Sequence, residues 1–266
     1  MTRLAVVGSS HMGTIRQSDA RIKAACPGLE IAYFGLPGAP FRRARRDDDG
    51  VLRVDAENQA EARMIRRING ADEIDLGPFD HIWIVGFRFR LGTILALLKR
   101  FDVLEMGRTG LPNTISEAFF WAAMQAEIDR SCDAIAANYG PDQRITISPA
   151  PYPAEKAREK GPHHEAPLAH VLHHPECDRI FARFEGMIGA SLTARGYRFL
   201  AQPPATLAAP FATQSAYLRG ARDFRDTSVE LTDLRHMNAE YGFALFAAYA
   251  ELHPALGCFI ASTETS

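Results

Sequence analysis

Five short runs of aliphatic and β-branched residues, RLAVV (3–7), EIAYF (30–34), HIWIV (81–85), RITIS (144–148) and YRFLAQ (197–202), recur along the chain with longer stretches between them. Runs this short and this apolar form strands, and strands that alternate with helical segments predict a parallel sheet covered on both faces. The expectation is therefore an α/β chain with a mostly parallel five-stranded sheet. The intervening pattern agrees. ISEAFFWAAMQAEIDRSCDAIAANYG (115–140) has apolar residues at helical spacing and ends at Gly140-Pro141, a helix stop. PECDRIFARFEGMIGASLTARG (175–196) reads the same way, and AEYGFALFAAYAELH (239–253) is the last expected helix. Phe119, Phe120, Trp121 and Met124 are assigned to the core, as is Trp83 in the third strand.

Two stretches break the regularity and are read as loop insertions into a single domain spanning 1–266. The first, near 39–79, runs from the basic FRRARR through an acidic turn ending in Gly50 to a strand-like VLRV, and predicts a loop or hairpin. Its charges neutralise one another, which argues against a nucleic-acid site. The second, near 149–176, is rich in proline and histidine and is expected to lie over the carboxyl ends of the strands, where open parallel sheets bind ligands.

Composition narrows the partners. Lys plus Arg number 30 and Asp plus Glu 32 in 266 residues, so no overall charge draws the chain to nucleic acid or a membrane surface. No run of about eighteen apolar residues is present, nor a basic segment leading into a long apolar one, and the expected location is cytoplasmic. Cys26, Cys132, Cys177 and Cys258 show no C-x-x-C spacing and are expected to be reduced fillers without chemistry. The cluster His163, His164, His170, His173 and His174, with Glu165 and Cys177 nearby, matches no zinc-ligand spacing; it is read as a lip or lid of the substrate groove, and no metal is assigned.

The chemistry begins at LAVVGSSHMGTIRQ (4–17). LAVVG is a strand and MGTIRQSDARIKAA a plausible helix, so Ser9 and Ser10 fall at the turn between them. There, backbone N–H groups stabilise negative charge developing near a hydroxyl. A serine nucleophile needs a base, and the base needs a group that fixes its tautomer. ELTDLRHMNAEYG (230–242) supplies both, with Asp233 three residues before His236 and just ahead of the last helix. Each has a plainer reading, Asp233 as a helix cap and His236 as a surface residue; their conjunction with Ser10 at the opposite end of the chain favours a triad. Asn238 is read as a capping residue.

Taken in order, these segments resemble the SGNH, or GDSL, hydrolases, serine esterases and acetyl-esterases on a flavodoxin-like three-layer α/β/α fold. Gly8-Ser9-Ser10 is similar to the family's first block and implies Ser10 as nucleophile. DLRHMN (233–238) is similar to its last block and implies Asp233 and His236 as partners. YFGLPGAP (33–40) resembles the second block, whose glycine N–H joins that of Ser10 in the oxyanion hole; Gly38 is the better match and Gly35 the alternative. The third block departs: after Gly86 and Phe87, Arg88 stands where the family has asparagine, and Ser9 stands where it has aspartate. Loss of one oxyanion donor costs on the order of 100- to 1,000-fold in turnover. Arg88 is read either as a replacement donor or as a reader of a carboxylate or phosphate on the substrate, and His11 as a further substrate contact. The resemblance implies cleavage of a small ester, O-acyl groups on a saccharide included, with no metal or organic cofactor. Transfer of the acyl group to another alcohol, or a non-catalytic binding role on the same fold, are the alternatives; oligomeric state is left open.

Overall fold

Leu4, Ala5, Val6 and Val7 are all fully buried, because the strand they form is enclosed on both faces and both edges. In the computed structural model, which describes residues 1–107, 109–158, 171–172, 174–223 and 225–259, this strand β1 (Thr2–Gly8) pairs in parallel with β2 (Leu29–Gly35) and β3 (His81–Phe87). Then β4 (Ile145–Pro149) pairs with β3, and β5 (Arg198–Phe199) with β4. The order β2-β1-β3-β4-β5 is all parallel. It is the flavodoxin-like doubly wound order.

Alternate side chains of a strand point to opposite faces, and the core divides accordingly. Ala5, Val7, Ile82, Ile84, Ile145 and Ile147 face one layer, covered by α6 (Glu117–Tyr139) and α7 (Cys177–Thr193). Leu4, Val6, Trp83 and Val85 face the other, covered by α1 (Gly13–Gln17), α2 (Asp19–Ala25) and α8 (Ala239–Leu252). The result is a three-layer α/β/α sandwich. Trp83 belongs to the second layer, stacked on Tyr249 with ring centroids 4.2 Å apart and donating its indole N–H to Ser148 Oγ at 2.8 Å.

Three expectations are corrected. Phe119 is 56% exposed, whereas Phe120, Trp121 and Met124 are buried. At about 100° per residue, the face that carries 120, 124 and 128 leaves 119 on the opposite side. The 39–79 region is more than a loop or hairpin. Beside α3 (Ala39–Arg43) and a three-stranded antiparallel unit of Arg45–Arg46, Val51–Arg53 and Glu73–Asp75, it contains α4 (Gln59–Asn69), a crossover helix between β2 and β3. Asn58 caps α4 by accepting from the N–H groups of Ala60 and Glu61, and Gly70 closes it with φ 76°. Finally, Cys26 and Cys258 form a disulfide, their Cα atoms 4.4 Å apart, while Cys132 and Cys177 are buried thiols. The bond ties the tail beyond α8 to the end of α2, where the Phe259 N–H also donates to the Ala25 carbonyl. Bonds of this kind persist in oxidising compartments, so the cysteines lend no support to a cytoplasmic location. Among the described residues no helix is long and apolar enough to cross a membrane.

Candidate active site

The chain's two ends meet because α8 lies directly on α1. Gly242 makes the approach possible: a Cβ there would sit 2.1 Å from the Thr14 carbonyl oxygen. Ser18 Oγ then donates to the Ala239 carbonyl at 2.6 Å. Ser10 lies three residues before α1 and His236 three before α8, so this one helix contact delivers both to the carboxyl edge of the sheet. Asn238 is the α8 cap, accepting from the Tyr241 N–H, and it anchors the turn through its own N–H to the Tyr217 carbonyl at 2.7 Å.

Ser10 opens a 3₁₀ turn, Ser10–Met12, rather than an α-helix, and α1 that follows has five residues. His236 Nε2 is 2.9 Å from Ser10 Oγ, and His236 Nδ1 is 2.6 Å from Asp233 Oδ2. The other carboxylate oxygen of Asp233 accepts the N–H groups of Arg235 at 2.7 Å and His236 at 2.9 Å, which locks the loop that carries both residues. Burial opposes the Asp233 charge, but the hydrogen bonds from the His236 ring and these backbone groups outweigh it and hold the carboxyl below its ordinary pKa.

Around the serine, Gly38 lines the same cavity, about 330 Å³, with Ser10 and His236. Its φ of 69° turns the chain into α3. Gly35 is already committed: its N–H donates to Asn69 Oδ1 at 2.7 Å and its carbonyl accepts from Asn69 Nδ2 at 3.0 Å. Of the two glycines, only Gly38 has an N–H without a partner among the described residues, a condition Ser10 shares. Asp223 and Arg225, paired with one another, close the outer wall of this cavity.

No protein-family model, curated protein or solved structure matches the chain. The site's own geometry has to carry the functional argument.

His11 is placed differently from a substrate contact. It is 3% exposed and stacks behind His236, ring centroids 5.0 Å apart at 22°. Burial, reinforced by the nearby charges of His236 and Arg88, pushes its pKa down to about 3, so the ring is neutral. Its Nδ1 and the hydroxyl of Ser9 are buried without hydrogen-bond partners among the described residues. Arg88, at the end of β3, does not line the cavity of Ser10. It lines a neighbouring cavity of about 500 Å³ together with Leu234 and Arg235, so the segment 233–236 forms a ridge with His236 on one side and these two residues on the other. Partial burial and the cations of Arg235 and Arg42 push the Arg88 pKa down. Beyond Arg88 the backbone takes positive φ at two successive residues, Phe89 at 42° and Arg90 at 51°, a cost that side-chain-bearing residues accept chiefly at functional sites.

Of the histidine-rich stretch, His163, His164, His170 and His173 lie outside the described residues, as does Glu165. His174 is buried, with its Nδ1 accepting the Glu176 N–H at 3.1 Å. Among the described residues no three His, Cys, Asp or Glu side chains converge as a metal-ligand set. Arg235 and Arg42 are the residues that sequence reasoning passed over. One is the unremarked x of D-x-x-H, and the other sits in a basic run that reads as self-neutralising.

Proposed function

We propose that this chain is a serine esterase of the SGNH type. The observation that carries the reading is the continuous relay from Ser10 Oγ through both ring nitrogens of His236 to Asp233, at the sheet edge where doubly wound folds bind ligands. In this reading His236 Nε2 takes the Ser10 proton as Oγ attacks the ester carbonyl carbon. The tetrahedral oxyanion receives the free N–H groups of Ser10 and Gly38. Collapse breaks the bond to the alkoxy oxygen, and His236 returns the proton to the departing alcohol. Water, deprotonated by the same ring, then cleaves the acyl-serine and restores Ser10. Asp233 holds the proton-bearing Nδ1 and stabilises the imidazolium between steps.

The mutual bonding of the three side chains favours catalysis over a binding-only role, for which a splayed histidine would be expected. With Arg88 in the neighbouring cavity, the reading gives it a substrate role rather than a place in the oxyanion hole. The test is hydrolysis of p-nitrophenyl acetate by wild type and Ser10→Ala. Saturable turnover by wild type that the variant lacks supports the reading, and equal rates for both count against it.

A further inference from the structure

The cavity beside the triad has an unusual lining. Its walls are apolar, with Phe87, Phe89, Leu95, Tyr152 and Phe184 among them, yet Arg88, Arg90 and Arg235 also line it and, among the described residues, no carboxylate does. Arg90 is offset by Glu127, with Nε 3.6 Å from Oε2. Arg88 and Arg235 have no side-chain hydrogen bond or ion pair among the described residues. Asp233, the acid whose charge acts on Arg88, is committed on one oxygen to His236 and on the other to two backbone N–H groups. Two guanidiniums that line one apolar-walled cavity, without a counter-ion among the described residues, form a receptor for a planar or tetrahedral anion.

Resting on the esterase reading, we propose that the substrate is an anionic, amphipathic ester, whose carboxylate or phosphate is held by Arg88 and Arg235 while an attached apolar arm fills the 500 Å³ cavity and the scissile carbonyl lies across the ridge at Ser10. The ridge explains how one molecule reaches both cavities, since Leu234 and Arg235 face one and His236 the other. Burial first, and then the cations of Arg235 and Arg42, lower the Arg88 pKa, and an arriving anion would offset the second of these.

The test separates this site from the catalytic one. Ser10→Ala protein is titrated calorimetrically with 4-phenylbutyrate, with 4-phenylbutyl phosphate and with neutral 4-phenylbutan-1-ol. At least one anion is expected to bind about tenfold or more tightly than the alcohol, the tighter of the two identifying carboxylate or phosphate; the scale is that of hydrogen bonds to charged groups. In an added Arg88→Gln/Arg235→Gln background the preference should collapse toward one, and Arg235→Gln alone, at an exposed position, should reduce it if the double variant does not fold. No anion preference, or a preference that survives these substitutions in folded protein, overturns the proposal. Covalent labelling of wild-type Ser10 by a fluorophosphonate without anion preference would overturn this inference and spare the esterase reading; anion preference without labelling would overturn the esterase reading and the ligand's role as substrate, leaving only the anion site.

Discussion

Gly86 and Ser9 touch so closely that a Cβ on Gly86 would lie 2.0 Å from Ser9 Oγ, with the glycine at φ 112°. The end of β3 thus presses on the residue before the nucleophile, and the position of Ser10 depends on a missing side chain.

Gly86→Ala is therefore expected to lower both Tm and esterase turnover, since the clash and the backbone conformation both oppose it. Ser9→Gly in the same chain removes the clashing hydroxyl and should restore part of the loss. Measured together, unaltered activity in Gly86→Ala or no recovery in the double variant would contradict this contact.

Asp233→Asn preserves an acceptor for the two backbone N–H groups but turns an amide N–H toward His236 Nδ1. The ring then carries its proton on Nε2, facing Ser10, and cannot act as base. Turnover of p-nitrophenyl acetate should fall by on the order of 10,000-fold with little change in Tm. A loss of only a few-fold would mean that Asp233 has no tautomer-fixing role.

The buried ring of His11 makes stability depend on pH. The unfolded chain takes up a proton near the ordinary value of 6.5 and the native state only near 3. Between these values the unfolded state binds more protons, so the contribution is complete above 6.5 and drains as pH falls toward 3. Urea unfolding at about pH 7 and about pH 4.5 should show a smaller difference in His11→Phe than in wild type. Equal differences would argue against a buried, neutral ring.

The Cys26–Cys258 bond closes a sequence separation of 232 residues at the edge of the sheet opposite the site. Alkylation under denaturing conditions should modify two of the four cysteines without reductant and all four with it. Reduction or Cys258→Ser is expected to cost about 2–4 kcal/mol, and to leave ester turnover intact. Four reactive thiols in the untreated protein would remove the bond from this account.

The parts of this fold that were legible in the sequence are those where one physical cause dominates. The apolar run Leu4–Val7 of β1 reads directly as a strand buried on both sides, and Asp233, His236 and Asn238 follow one another closely enough to define their own turn. Less legible were features that depend on distant segments. Asn58 and Gly70 bracket α4 in the sequence, but the dense charges beside them read as a loop. Nothing local links Cys26 to Cys258. Phe119 reads like its neighbours in sequence, and only the docking of the helix decides that it faces outward. Arg88 and Arg235 become one feature only when the ends of the chain meet.

If Ser10 is an activated nucleophile, it reacts with a fluorophosphonate probe, and intact mass reads the product. A single adduct is expected on wild type, mapped to Ser10 and absent from Ser10→Ala. A folded wild-type sample that gains no mass, or gains it at another residue, would contradict it.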